Sequence, residues 1–196
     1  MFKEYYNNLS TRGKILVIIL IIFIVLVLLR FIMREDKSDK IGNYLIGKGF
    51  VKEEDSTMYH KQISDITMDE YEDKVNNKEN TSYEMLYFNT YNYHFIKDKM
   101  IYEDDIFKSF NPTYNYKDDT LTYVYRINMY NTNIIIEGSY DNNTEEFICN
   151  PTFASEIDID NAKEDICNSI KYDVIDFNYE ALTLITSTDI LNEMKK

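Results

Sequence analysis

The chain is poor in the residues from which most enzyme sites and metal centres are built. Its 196 residues include two histidines, two cysteines, five glycines, two prolines and no tryptophan. His60 and His94 stand in no H-E-x-x-H arrangement, and no G-x-S-x-G nucleophile motif or complete phosphate-binding loop occurs. We therefore predict no catalytic residue, no metal site and no cofactor. An enzyme that uses a pair of carboxylates is the alternative.

Positive charge is scarce after residue 34. Five of the 21 basic residues and one of the 34 acidic residues precede residue 35, which leaves 16 basic against 33 acidic residues and a net charge of −17. Such a surface repels phosphate backbones, so we predict no nucleic acid partner. The acidic clusters at 65–73 and 141–145 lack the glycine and distal glutamate of a calcium loop, and we interpret them as solvated.

One stretch lacks polar residues almost completely. Residues 15–29 are fifteen consecutive Ile, Leu, Val and Phe, and three more apolar residues follow Arg30. As a helix, residues 15–33 would be about 28 Å long, close to the hydrocarbon thickness of a bilayer. A core helix normally keeps a polar stripe, and a cleaved signal peptide would end in a small-x-small site that is missing here. We predict an uncleaved transmembrane anchor over residues 15–33.

The anchor divides the chain into residues 1–34, which form a tail with its transmembrane helix, and a single domain, residues 35–196. Basic residues flank the apolar run on both sides, but a short tail before one apolar helix is the usual layout of a signal anchor. We predict a single-pass protein of the cell membrane whose domain lies outside the cytoplasm. The abundance of Tyr, Asn, Ile and Lys, whose codons are rich in A and T, is typical of a low-GC bacterium.

Beyond the anchor, apolar and polar residues alternate with the period of strands that bury one face. A helix is predicted at 38–47, a strand at 58–63 and a loop at 65–80. The alternation is clearest over 83–95 and 121–129, and turn-forming residues, such as those at 97–99, separate the runs. These features predict an α+β fold, in which one or two helices cover an antiparallel meander.

The two prolines predict where strands are interrupted or end, and an apolar stripe predicts the helix that follows the sheet. Pro112 predicts an edge or a bulge, and Pro151 predicts the end of the last strand. A helix that begins at Asp158 or Asp160 is then predicted from an apolar stripe at helical spacing: Ala162, Ile166, Ile170 and Val174.

The last 25 residues are ambiguous. Residues 172–177 and 181–186 match strands, and Thr188 is predicted to cap a terminal helix.

Tyrosine is abundant, and four of the 18 tyrosines fall close together in the first alternating run: Tyr83, Tyr87, Tyr91 and Tyr93. Aromatic faces stack on sugars and hold peptides, because tyrosine combines a rigid ring with a polar tip. We therefore treat these four residues as a candidate binding face. The alternative is that they are the half-buried inner face of the sheet.

The two cysteines are predicted to form a disulfide. Cys149 closes the last strand and Cys167 lies on the following helix. A helix that returns across the sheet would bring their Cα atoms within the ~4.4–6.8 Å that a disulfide requires. The alternative is two buried thiols, as is normal in a reducing cytoplasm.

The order of a short basic leader, an apolar helix and an antiparallel sheet resembles that of the minor pilins of type IV pilus and competence systems. Their processing site is a glycine followed by Phe or Met, with glutamate at the fifth mature position. Here Gly13 is followed by Lys14, and the fifth position is Ile18, so the resemblance covers the layout alone.

The sequence predicts a membrane-anchored module that binds an envelope protein or a wall polymer. A minor pilin-like structural subunit and an envelope hydrolase are the alternatives. Knowledge of a partner or a substrate would decide between these three functions, but no motif in the sequence identifies either.

Overall fold

A computed structural model of the chain describes residues 11–129, 132–153 and 160–196. The first element is a long helix, α1, Thr11–Gly47. It joins the predicted anchor, the charged segment after it and the predicted helix at 38–47 into one helix, since no glycine or proline lies between Gly13 and Gly42. The separate helix predicted at 38–47 is therefore wrong, although its end at Gly47 is confirmed.

The chain divides into two compact units, with the boundary between Ile41 and Gly42. The predicted domain boundary, after residue 34, lies earlier in the same helix. Within the part of the chain that the structure describes, no helix has the length and apolarity needed to cross a membrane. The structure describes no side chain for residues 29–33, which are the end of the predicted anchor.

A glycine motif ends α1. Gly49 has φ +87°, a left-handed conformation that favours glycine, and its N–H donates to the carbonyl of Ile46 at 2.9 Å. The N–H of Phe50 donates to the carbonyl of Leu45 at 3.0 Å. This pair of bonds is the Schellman arrangement, which satisfies the last carbonyls of a helix.

The second unit is built on eight antiparallel strands that lie side by side in chain order, so the predicted meander is confirmed. The strands are β1 Val51–Lys52, β2 Met58–Gln62, β3 Thr81–Asn89, β4 His94–Glu103, β5 Ile106–Asn115, β6 Thr120–Met129, β7 Thr132–Asp141 and β8 Glu146–Phe153. Three further helices lie among the described residues: α2 Met68–Asn76, α3 Asp160–Leu184 and α4 Thr188–Met194.

The alternating run over 83–95 is two strands instead of one. β3 pairs with β4 across a turn at 90–93, where Tyr93 takes the left-handed φ of +59°. The turn shifts the alternation, so Tyr83 and Phe95 lie on opposite faces of the sheet. Residues 97–99, predicted as a turn, lie inside β4. The sequence misleads here because the turn contains tyrosines and no glycine.

The predictions from both prolines are wrong: Pro112 marks neither an edge nor a bulge, and Pro151 does not end the last strand. Pro112 lies inside β5, a central strand, where pairing with β4 skips Pro112 and Asn111 while the register on both sides is kept. The side-chain amide of Asn111 donates to Asp98 Oδ1 at 2.7 Å and closes this gap. Pro151 lies inside β8, an outer strand of the sheet, where its missing N–H is tolerated.

The acidic segment predicted as a loop contains α2. Thr67 and Glu70 form a capping box, in which each side chain bonds the backbone N–H of the other residue. Tyr71 is the buried residue of this helix, and its ring lies 6.2 Å from that of Tyr83 on β3. The capping box and the buried Tyr71 thus belong to a helix that the apolar pattern of the sequence does not predict.

The other face of the sheet is covered by α3. Phe177 stacks on Phe95, with ring centroids 5.2 Å apart. A buried stripe runs along this helix: Ile170, Val174, Phe177 and Ala181. The predicted stripe is thus confirmed at Ile170 and Val174, whereas the strands suggested at 172–177 and 181–186 are wrong. The terminal helix is confirmed as α4, but Ser187 caps it instead of Thr188.

Candidate functional site

The structure joins Cys149 to Cys167 by a disulfide that fastens α3 to β8. Their Cα atoms are 6.0 Å apart, inside the range that such a bond requires. Cys149 faces α3 because β8 pairs with β7 so that Cys149 stands opposite Gly138, whose face is the one that α3 covers. Whether the protein carries the bond in its own compartment stays a prediction, which thiol counting tests.

The four candidate tyrosines are not brought together on one strand face. Tyr83 is buried against α2, and Tyr87 is half-buried on the same face of β3. Tyr91 and Tyr93 lie in the turn between β3 and β4, and Tyr91 is 72% exposed. Lys117 Nζ lies 5.2 Å from the centre of the Tyr93 ring. The interpretation of these residues as an inner face therefore fits Tyr83 and Tyr87 alone.

A cavity of about 350 Å³, which we call the end cavity, opens where the β5–β6 and β7–β8 turns meet the ends of α3 and α4. Its volume is at the lower end of the range of small-molecule sites. Apolar side chains from α3, α4 and the segment between them form one wall, and polar groups from β5, the two turns and the C-terminus form the other. The lining residues are Tyr114, Tyr116, Asp119, Asn142, Leu182, Ile185, Leu191 and Lys195.

The polar wall of the end cavity is a connected hydrogen-bond network. Tyr114 Oη donates to Asp119 Oδ1 at 2.9 Å, and Lys195 Nζ binds the other carboxylate oxygen. Asn142 and Asn178 bond each other reciprocally through their amides, at 3.1 and 2.7 Å. Asn142 Nδ2 also lies 3.4 Å from Tyr114 Oη. Such a network fixes the direction of its donors and acceptors before any ligand arrives.

Burial keeps the phenols of this cavity neutral. It is the largest cause that raises the pKa of Tyr114, and the hydrogen bond to Asp119 raises it further. Burial also raises the pKa of Tyr116, whose hydroxyl donates to the carbonyl of Ala181 on α3. Neutral phenols, amides and one paired carboxylate suit hydrogen bonding to a polar ligand, and they are poorly suited to acid–base catalysis near neutral pH.

A second charged centre lies between the sheet and α3. Lys97 Nζ is 3.0 Å from Glu84 and 2.6 Å from Glu180, and it lies 5.6 Å from the centre of the Phe177 ring. Burial alone would lower the pKa of Lys97, but the two carboxylates outweigh it and the pKa is raised. This lysine stays charged and joins β3, β4 and α3.

The outward side of α3 carries a row of exposed apolar and aromatic side chains, which we call the outer stripe: Tyr172, Ile175, Tyr179 and Leu182. The outer stripe is not predicted from the sequence, because residues 172–177 and 181–186 also match strands. The helical spacing of these four residues was the available signal.

The polar wall of the end cavity was missed for another reason. Asp119 and Asn142 are turn residues, Asn178 lies on α3, and Lys195 follows the last residue of α4. Their meeting depends on the tertiary fold.

Among the described residues, no group of three or more His, Cys, Asp or Glu side chains could hold a metal ion. In the second acidic cluster, Asp141 accepts hydrogen bonds from the backbone of the turn that it begins.

Comparison with protein-family models, with curated proteins and with solved structures finds no match for this chain.

Proposed function

We propose that the chain is a single-pass protein of the cell membrane, whose α+β domain lies outside the cytoplasm and binds an envelope protein or a wall polymer. The observation that carries this proposal is the first half of α1. Thirteen of the fourteen apolar side chains from Ile15 to Leu28 are 42–67% exposed. Apolar surface of this extent is unfavourable in water and is covered by the hydrocarbon of a bilayer. In the sequence the apolar run continues to Met33, which gives it the length of a membrane span.

The disulfide supports the placement of the domain outside the cytoplasm. A bond between Cys149 and Cys167 persists in an oxidising compartment, whereas cytoplasmic thiols are kept reduced. It also fastens the helix that supplies part of the end cavity.

The end cavity supports a binding role. Its apolar wall offers Leu182 and Leu191 to a ring or an aliphatic side chain, while the polar wall offers oriented hydrogen-bonding groups. A recess of this size and composition fits one sugar ring or one side chain of a larger partner.

Membrane fractionation and protease protection test the location. We expect the full chain to stay in the membrane pellet after a carbonate wash. In wall-stripped cells, added protease should remove a C-terminal tag and leave an N-terminal tag protected. Thiol counting should find no free thiol before reduction and both cysteines after it. A protected C-terminal tag together with two free thiols would place the domain in the cytoplasm.

Sedimentation with isolated wall fragments and capture from envelope extract test the binding role, with the full chain held in nanodiscs. We expect Leu191→Glu, which puts a charge on the apolar wall of the end cavity, to abolish binding. Asn192→Glu changes an exposed residue of the same helix and is the matched control, so it should bind like the unchanged protein. Equal binding by both variants would exclude the end cavity as the contact.

A further inference from the structure

The outer stripe of α3 has the spacing of a coiled-coil seam. Tyr172, Ile175, Tyr179 and Leu182 follow one another at intervals of three, four and three residues, and they are 80, 42, 68 and 47% exposed. This is the a–d–a–d pattern by which two helices pack together. The sheet is contacted by a different stripe of the same helix, so the outer stripe has no partner within the described residues.

Two charges flank the outer stripe in complementary positions. If Tyr172 and Tyr179 are a positions, Lys171 is a g position and Asp176 is the following e position. In a parallel pair of helices, each g residue faces the e residue five positions further along the partner, which sets Lys171 against Asp176. In an antiparallel pair over the same residues, g faces g and e faces e, so that Asp176 meets Asp176 of the other copy and Lys171, at one end of the seam, does not face Asp176. The charge pattern therefore fits a second copy of the same helix in parallel orientation.

We propose that two copies of this chain associate through the outer stripe, with their α3 helices parallel and related by a two-fold axis. The inference rests on the proposed membrane anchoring. Two heptads are a short seam, but two copies anchored in one membrane meet at a high effective concentration. The association is accordingly a property of the membrane-bound chain and is lost on dilution in detergent.

Photo-cross-linking in membranes tests the contact. The full chain is made with benzoylphenylalanine in place of Tyr179 and, as matched control, in place of Tyr91, which is 72% exposed in the β3–β4 turn. We expect an adduct of twice the chain's mass from position 179 and none from position 91. Equal adducts from both positions, no dimer from position 179, or an adduct with a different protein alone would overturn the proposal. A carbonate wash of the same membranes reports on the anchoring separately.

Charge exchange tests the parallel register. Lys171→Asp sets Asp against Asp, and Asp176→Lys sets Lys against Lys, so each change should lower the dimer yield by about fivefold through two symmetry-related contacts. The double variant K171D/D176K exchanges the signs and should restore the yield. A double variant that stays as weak as the single variants would overturn the parallel arrangement.

Discussion

At the scale of single residues, the clearest case is Lys97, a cation that two carboxylates hold against an aromatic ring. Its raised pKa means that the interaction stabilises the fold at neutral pH and is lost as the pH rises through that raised value. The neutral variant Lys97→Met would leave Glu84 and Glu180 close together without their counter-ion. We expect the free energy of unfolding to fall by about 2 kcal/mol in urea titrations.

Lys108→Met is the control for this prediction. Lys108 is more exposed, and its Nζ lies 4.0 Å from Glu103, so its loss should cost less than about 1 kcal/mol. An equal loss in the two variants would mean that Lys97 contributes no more than a surface ion pair.

Buried tyrosines give a second prediction at this scale. Burial raises the pKa of Tyr125 to about 12 and raises those of Tyr114, Tyr116 and Tyr123 as well. A raised pKa stabilises the fold below the ordinary value near 10, and this contribution is lost at higher pH. At about pH 11, the folded protein should therefore show less tyrosinate absorbance than the urea-unfolded protein. Because the chain has no tryptophan, tryptophan absorbance does not overlap with this signal.

Tyr116→Phe and Tyr123→Phe should each reduce that difference in absorbance. Equal absorbance of the folded and unfolded chains would show that these phenols are open to water.

At the scale of elements, a glycine fixes how closely β7 approaches its neighbours. A Cβ at Gly138 would lie 2.0 Å from the carbonyl oxygen of Ile148 and 2.5 Å from Tyr123 Oη. That hydroxyl donates to the same carbonyl at 3.0 Å. Since backbone has to move, we expect Gly138→Ala to lower the free energy of unfolding by roughly 2–3 kcal/mol. Thermal unfolding followed by circular dichroism measures it.

Gly47→Ala is the matched substitution. Nothing lies within 4 Å of a Cβ at Gly47, which is the last residue of α1. Alanine is the better helix former, so this change should be neutral or stabilising by up to about 1 kcal/mol. Two equally destabilised variants would show that the effect at Gly138 is not steric.

The elements also show what could be predicted from the sequence. The meander, the helix that covers it and the proximity of the cysteines follow from local periodicity, because each strand pairs with the next along the chain. The turn at Tyr93 and the C-terminal part of α3 do not follow from local periodicity. Tyr93 takes a conformation usual for glycine, and Tyr172 and Tyr179 look like strand residues until their exposure on a helix is known. The end cavity was beyond prediction, since it combines turn residues with both C-terminal helices.

At the scale of the whole molecule, α3 links the roles proposed for the domain. One stripe of α3 packs on the sheet, and Cys167 fastens the helix to β8. The last turn of α3 supplies part of the end cavity. The outer stripe lies on the opposite side of α3 and is exposed in the part of the chain that the structure describes. A partner bound in the end cavity and a second copy on the outer stripe would both contact Leu182, which belongs to both surfaces. Binding and self-association are thus expected to influence each other.

The last prediction separates the anchor from the domain. The double variant I21D/F23D places two carboxylates in the middle of the apolar run, where each aspartate costs roughly 2.5–3.5 kcal/mol on insertion. We expect this chain to leave the membrane pellet in a carbonate wash, because the two costs cancel most of the favourable insertion free energy of the remaining apolar residues, which contribute roughly 0.3–0.6 kcal/mol each. The control I135D/I148D adds two aspartates at exposed apolar positions of the sheet and should remain in the pellet. If the I21D/F23D chain stays with the membrane as firmly as the control, the apolar run is not what holds the protein there.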